Sequence, residues 1–302
     1  MRIGVLAAEG GWHFQDLVRA AGDNYEIISL SFGQLSAAMT GWKPILPTGS
    51  TGETPIQRFS CGQEDLGGLD RLIVRAMPAG SLQQIVFRMD LLNRLQAAGV
   101  KIFNSPRAVE ISVDKYLSLA MLADAGVAVP ETFVAQTVDD GLEYFDRLGG
   151  EVVYKPLFGS MGNGIRLIKD RAEARSFFQD QVDSGEVLYL QKFIDHGDSD
   201  VRVLVIGDQT IAMQRRRPGH WLTNIAQGAT GHSVTASPEQ QRIAMEACKA
   251  VGCRIAGVDL LQDARTGQDV VVDVNAAPGW QALSDVSGID IAALILKEVA
   301  TG

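Results

Sequence analysis

Cysteine is scarce: only Cys61, Cys248 and Cys253 occur in 302 residues. Three scattered thiols are too few for a disulfide framework in a chain this long, and no Cys/His group has the spacing of a zinc site. No run approaches the ~20 apolar residues needed to cross a bilayer. The opening MRIGVLAAEGG has only a short apolar stretch before Gly and acid, unlike a signal peptide. These absences predict a reducing, cytoplasmic setting with no membrane partner. Basic charge is also in deficit, with 27 Lys and Arg against 36 Asp and Glu and a net charge of −9. That balance opposes nonspecific adhesion to nucleic acid or anionic membrane and favours small or soluble partners. Internal repeats and low-complexity segments are missing, and no Ser/His/Asp or Cys/His constellation suggests a covalent enzyme nucleophile.

What is present is an alternation of strand and helix. A strand over 2–6, a turn at Glu9-Gly10-Gly11, a helix to Ala21 and a strand over 25–30 predict an open parallel sheet. Residues 41–55, rich in Gly, Pro and Thr, read as a loop or irregular hairpin. A strand over 69–74 ends in Arg75, at the edge where such sheets place ligands; a solvated strand end is the alternative. Ser81 and Gln84 form a capping box, and Leu82, Ile85, Val86, Met89, Leu92 and Leu95 predict one buried helix face. A short strand over 101–104, leaving through Ser105-Pro106, closes an N-terminal domain of residues 1–104. A central domain, 105–190, has helices over 113–125, 138–148 and 171–182 and strands over 131–135, 151–155, 165–168 and 187–190. The remaining domain, 191–302, has strands over 201–205 and 211–214, a helix over 238–251, a hairpin and a last helix over 289–299 expected to close it.

Three features carry chemistry. In the hairpin, apolar runs over 255–261 and 270–274 flank a turn at Thr266-Gly267, yet Asp259 interrupts one run and Asp273 the other. Alternation puts Asp273 and Asn275 on one face. Two acids and an amide ahead of the terminator Ala277-Pro278-Gly279 suit Mg²⁺ better than a solvent-facing edge. Second, Lys155 ends a strand just before Gly159, Gly162 and Gly164, and a strand follows. A Walker loop would need Gly-Lys-Ser/Thr and a following helix, so this loop reads as a lid whose backbone N–H groups approach phosphate. Third, Arg215, Arg216 and Arg217 stand at a strand end in an acidic chain. The planar guanidinium fork matches phosphate and carboxylate.

Together these segments resemble the ATP-grasp ligases, in particular the branch that adds glutamate to ribosomal protein tails and cofactors. Gly257-Val258-Asp259 and Asp273-Val274-Asn275-Ala276-Ala277-Pro278-Gly279 match its metal signature, with Asp273 where Glu is usual, a shorter reach that favours one ion over two. Asp114-Lys115 at a helix start, Lys155-Pro156 before the glycine loop, the hinge Gln191-Lys192-Phe193-Ile194 with Lys192 in place of the usual Glu, and Asp200-Val201-Arg202 continue the likeness. Ala226 and Gln227 depart from it, standing where His and Arg are often seen.

The resemblance implies an α/β (α+β) ATP-grasp fold with an N-terminal open parallel domain, a small lid subdomain and a C-terminal nucleotide- and metal-binding domain. It implies Arg202, Arg215 and Arg216 on the reacting groups. It places Lys115, Lys155, Gly159, Ser160, Met161, Gly162, Gly164, Gln191, Lys192, Phe193, Ile194 and Asp200 on the nucleotide. Arg75 and Asn224 fall to substrate, and Asp259, Asp273 and Asn275 to metal. The implied cofactors are ATP and one or two Mg²⁺ ions, with Mn²⁺ as a substitute. The implied reaction is carboxylate–amine ligation through an acyl phosphate, with L-glutamate and a carboxylate acceptor as substrates and a homodimer or homotetramer as the assembly. Residues 77–84 and 87–90 resemble the branch that glutamylates tetrahydromethanopterin-type cofactors. Glutamylation of a protein tail competes within the class, and a non-catalytic ATP-binding regulatory module competes from outside it.

Overall fold

The computed structural model describes residues 1–7, 10–40, 56–75, 77–159 and 161–302. The expected loop over 41–55, together with Glu9 and Ser160, lies outside the described residues. The chain divides into two compact units, Met1–Arg107 with Asp290–Gly302, and Ala108–Ile289.

In the first unit the elements run β1 (Arg2–Leu6), α1 (Trp12–Ala21), β2 (Glu26–Leu30), β3 (Leu35–Thr40), β4 (Ile56–Cys61), β5 (Glu64–Asp65), β6 (Arg71–Val74), α2 (Leu82–Ala97) and β7 (Lys101–Phe103). Strands β2-β1-β6-β7 form the expected open sheet, every pair parallel. Its strands are near-continuous apolar runs because helices cover such sheets on both faces, and Ile3, Val5, Leu6 and Leu72 are fully enclosed. Strands β3, β4 and β5 form a separate antiparallel meander that the sequence reading did not foresee.

Helix α2 keeps its capping box, Ser81 N–H donating to Gln84 Oε1 (2.9 Å) and Gln84 N–H to Ser81 Oγ (3.3 Å). Its buried face is rotated from the one expected. Arg88, Leu91, Leu92 and Leu95 are buried while Leu82 is 79% exposed and Val86 also faces outward. The reason is polar: Arg88 donates to the Pro78 carbonyl (2.8 Å) and lies 5.9 Å from the Phe32 ring centroid, so a guanidinium occupies the packed face that apolar periodicity alone cannot register. The last helix is a second correction. Residues Ile291–Thr301 belong to the first unit, where Arg71 Nε donates to Val299 O (2.9 Å) and Arg19 pairs with Asp290 (2.8 Å). Its apolar stripe said that one face is buried, but not against which part of the chain.

Leading into and through the second unit come α3 (Pro106–Val113), α4 (Lys115–Asp124), β8 (Thr132–Ala135), α5 (Val138–Arg147), β9 (Val152–Lys155), β10 (Arg166–Ile168), α6 (Arg171–Asp183) and β11 (Leu188–Lys192). Then follow β12 (Ser199–Ile206), β13 (Gln209–Arg216), β14 (Thr230–Val234), α7 (Pro238–Val251), β15 (Ile255–Gln262), β16 (Asp269–Asn275) and α8 (Gln281–Ser287). The helix expected over 113–125 is in fact the end of α3 and the whole of α4, because Asp114 leaves the helix to accept the Tyr116 and Leu117 N–H groups (2.9 and 3.0 Å) as an N-cap. Two antiparallel sheets result, β10-β9-β11-β8 and β14-β13-β12-β15-β16. The first is packed by α5 and α6 around Phe145, Tyr154, Phe178 and Leu188, which fix where Lys155 emerges at the end of β9. The second carries the acidic hairpin as β15 and β16.

Candidate active site

The register of the five-stranded sheet assembles the first half of the site. Asp259 faces Asp273, Gly257 faces Asn275, Arg202 faces Asp259 and Asp200 faces Arg215. Directly paired residues of antiparallel strands project to the same side, so one face collects three carboxylates, two guanidiniums and an amide. A β-bulge makes this alignment. Leu260 pairs with Val271, but the next pair is Asp259 with Asp273, leaving Val272 as the extra residue. A regular ladder would have put Val272 opposite Asp259. At Gly257 the space is tight, since a Cβ would stand 3.1 Å from Pro278 Cβ.

The charges on this face hold one another. Arg202 grips Asp259 with both edges, Nε to Oδ1 (2.6 Å) and Nη2 to Oδ2 (2.7 Å). Arg215 does the same to Asp200 (2.7 and 2.5 Å) and also reaches Asp259 Oδ2 with Nη2 (3.1 Å). Thr223 closes the chain, its hydroxyl donating to Asp200 Oδ2 (2.6 Å). Asp200, Arg215, Thr223 and Asp259 are all buried. Burial pushes the Asp259 carboxyl up, but the Arg202 and Arg215 charges outweigh it and hold Asp259 below the usual carboxylate range. Burial likewise opposes the Arg215 charge, and Asp259 and Asp200 more than restore it.

Asp273 differs from its neighbours. Among the described residues it makes no hydrogen bond or close ion pair, and burial followed by the Asp259 charge raises its pKa. Asn275 Oδ1 accepts the Ala277 N–H (2.9 Å), an Asx-turn that fixes the amide and leaves one lone pair on that oxygen. Asp259 Oδ2 takes two donors and Oδ1 one, so a single Oδ1 lone pair remains there. The donors still available are all hard oxygens, and the excess negative charge sits on Asp273. This arrangement fits Mg²⁺, which binds through one or two carboxylates and completes its shell with water and phosphate oxygens. Consistent with so sparse a set, no cluster of three or more His, Cys, Asp or Glu able to hold a metal occurs among the described residues.

The second half is cationic. Lys155 Nζ donates to Gln191 Oε1 (2.7 Å), and Gln191 Nε2 donates to Thr132 Oγ1 (3.0 Å). Burial lowers the Lys155 pKa to about 8, with the Asp273 charge opposing the shift. Lys115, at the start of α4, donates to the carbonyls of Leu157 (3.3 Å) and Gly159 (2.9 Å), and burial lowers it too, against the charges of Asp273 and Asp114. Both lysines thus lie in the field of Asp273. The glycine loop turns through Met161, Gly162 and Gly164, at φ of 61°, 77° and 74°. A Cβ on Gly162 would fall 2.7 Å from Asn224 Oδ1, so only glycine admits this approach. Gln227 Nε2 donates to Met161 O (3.2 Å) and Asn163 Oδ1 (3.3 Å), tying the loop to the segment after β13.

Arg202, Arg215, Lys115, Lys155, Asp259, Asp273 and Asn275 are therefore brought together, with Gly159, Met161, Gly162, Gly164 and Asn224 on the loop side. Gln191 points inward to Lys155, whereas the Lys192 side chain is exposed, 3.6 Å from Glu131, and its N–H donates to Glu131 O (2.8 Å). Phe193 meets Trp221 edge to face at 6.1 Å, and Ile194 follows half-buried. Arg216 is not brought in: alternation turns it to the other side of β13, exposed and paired with Asp198 (3.1 Å). Asp200 is not presented to a nucleotide either, since Arg215 and Thr223 enclose it. Arg75 belongs to the first unit, where burial lowers its guanidinium to about 10. Burial, then the charge of Arg75, lowers His13 to about 4. Thr223 and Gln227 were not foreseen as site residues, because neither a lone hydroxyl nor a lone amide carries a pattern.

Comparison with known proteins identifies the family. The model of the RimK-like ATP-grasp domain matches residues 112–299. The tetrahydromethanopterin:alpha-L-glutamate ligase of Methanosarcina acetivorans is 32% identical over 271 residues, 80% of this chain and 83% of that protein. A probable alpha-L-glutamate ligase of Vibrio cholerae serotype O1 is 32% identical over 238 residues, 78% of this chain and 77% of its own. Among solved structures, the ATP-grasp ligase PsnB, complexed with a phosphomimetic variant of its minimal precursor, Mg and ADP, superposes with a TM-score of 0.70 at 20% identity, covering 99% of this chain and 97% of its own. No helix among the described residues is long and apolar enough to cross a membrane. The chain belongs to the RimK-like ATP-grasp family and is an ATP-dependent ligase.

Proposed function

We propose that the protein adds L-glutamate to a small carboxylate-bearing cofactor of the tetrahydromethanopterin type. An oxygen of the acceptor carboxylate attacks the γ-phosphorus of ATP, the bond to the β-phosphate oxygen breaks, and ADP leaves an acyl phosphate. The glutamate amine then attacks the acyl carbon, inorganic phosphate departs, and the nitrogen loses a proton to give the amide. Such a transfer needs positioning and charge neutralisation more than covalent help from the protein. Lys155 and Lys115 bind phosphate oxygens beneath the glycine loop. Arg202 and Arg215 stabilise the charge that develops on the transferring phosphoryl group, each with an Nη1 amino group that no described residue occupies. Asp259, Asp273 and Asn275 would hold Mg²⁺, which would supply neutralisation of the phosphate charge.

The observation that carries this reading is the pairing of Asp259 with Asp273 beside two guanidiniums on one sheet face, in the field of two desolvated lysines. The choice of pterin over peptide rests on the Methanosarcina relative, which extends over most of both chains. The test is ADP release and amide product, by mass, from ATP, Mg²⁺, L-glutamate and either tetrahydromethanopterin or a peptide ending in glutamate. Product with the pterin alone supports the proposal, and product with the peptide alone replaces it with tail glutamylation. Release with neither refutes both acceptors.

A further inference from the structure

The Arg215 guanidinium has five N–H donors, and three of them are committed: Nε and one Nη2 hydrogen to Asp200, the other Nη2 hydrogen to Asp259. Both Nη1 hydrogens are unused among the described residues. Which way they point depends on the plane of the group, and that plane is set by the two-point fork on Asp200. Asp200 in turn could rotate about its own side-chain bonds, but Oδ2 is held from a third direction by the Thr223 hydroxyl at 2.6 Å. Thr223 lies on the segment between β13 and Asn224, so the strand that carries Arg215 and the segment that carries Asn224 are joined through one buried carboxylate. Thr223 is 3% exposed and Asp200 6%, so the contact is shielded from bulk solvent.

We infer that Thr223 and Asp200 are positioning residues for the ligase reaction: the hydroxyl locks the carboxylate, and the carboxylate holds Arg215 with its Nη1 edge turned toward the phosphoryl group in transfer. Neither residue touches substrate. Among the described residues Arg202 is gripped by Asp259 alone, and the further donor on that carboxylate is Arg215 Nη2 (3.1 Å) rather than a neutral hydroxyl. The relay therefore acts first on Arg215 and reaches Asp259 only through the single 3.1 Å contact from Nη2, while Arg202 keeps its two-point grip on that carboxylate. It rests on the ligase reading given above.

The test compares Thr223→Val, which removes the hydroxyl at nearly constant volume, with Thr223→Ser, which keeps it. Thr223→Val is expected to lower kcat for glutamate-dependent ADP release by about tenfold or more, as the loss of an oriented charge does. The KM for ATP and the calorimetric affinity for MgATP are expected to change by about threefold at most, well short of the change in kcat, since the lysines are untouched and Asp259 keeps the two-point grip of Arg202. Thr223→Ser is expected to restore kcat to within about twofold of the parent. In ¹⁵N spectra the Arg215 Nε–H should exchange slowly with solvent in the parent and the Ser variant, and faster in the Val variant. A Val variant with parental kcat, a Ser variant as slow as Val, or a parallel loss of MgATP affinity overturns the inference. Should Thr223→Val fail to fold, slow Nε–H exchange in both the parent and the Ser variant supports the relay, and rapid exchange in either refutes it. If no acceptor supports ADP release in the parent, the ligase reading fails, while the exchange comparison still decides the relay.

Discussion

On the five-stranded sheet Arg202, Arg215, Asp200 and Asp259 neutralise one another through hydrogen bonds of 2.5–3.1 Å, whereas on the four-stranded sheet Lys155 has only the neutral Gln191 amide at 2.7 Å. Both regions are desolvated and burial opposes both charges, but Asp259 and Asp200 more than restore that of Arg215, whereas Lys155, with no carboxylate in contact among the described residues, stays lowered. The arginines have their counter-charges within the protein. On the function proposed above, the lysines take theirs from the nucleotide phosphates. The difference separates the parts of a phosphoryl-transfer site that must be rigid before the reactants arrive from the parts that should respond to them.

The largest break in that comparison is expected from Asp259→Asn. It removes a proposed metal ligand and leaves the buried Arg215 and the half-buried Arg202 short of a counter-charge. ADP formation should fall by about 10³-fold or more, and stability by about 3–5 kcal/mol, the usual range when one partner of a buried ion pair is lost. Steady-state ADP release and urea unfolding read the two effects. Parental turnover would refute the metal assignment.

Lys155→Met should do the opposite to stability. MgATP affinity is expected to drop by about 10–100-fold, the worth of a charged hydrogen bond, while the thermal midpoint holds or rises. The sign follows from linkage. With a folded value near 8 against the usual 10.5, the unfolded chain keeps the proton between those values and the folded chain does not, so this group's contribution to stability improves as pH rises through that window and is least favourable below about 8. MgATP affinity should run the other way, weakening as pH passes about 8, and Lys155→Met should flatten that dependence in a calorimetric pH series.

Smaller effects belong to the loop that spans the two regions. Gly162→Ala places a Cβ 2.7 Å from Asn224 Oδ1 at a φ of 77° and should raise the KM for ATP by about tenfold, in line with a left-handed strain of about 1–2 kcal/mol. Gln227→Ala removes two neutral hydrogen bonds of 3.2 and 3.3 Å, and a rise of about fivefold in the same constant is expected. Unchanged KM values would mean that this tie does not matter to nucleotide capture.

Much of this site could be read before any coordinates. Lys155 before three glycines and Asp273 with Asn275 on one face both follow from local chemistry, because each depends on residues within one or two turns or strands. Reading failed where a polar group took a packing role or where neighbours in sequence part company. Arg88 displaced the expected face of α2, and Arg215 and Arg216 went to opposite sides of β13. The run of three arginines hid that alternation, since composition has no direction.

From sequence alone come the residue types, their charges and, within any one strand, which of them share a side, since the two-residue repeat of a strand is local. The structure alone decided that Val272 is squeezed out so that Asp259 meets Asp273, that Thr223 reaches Asp200 and that the last helix packs in the first unit. Those are matters of register and of packing between distant segments, set by the summed fit of whole strands and helices rather than by any short stretch of the chain.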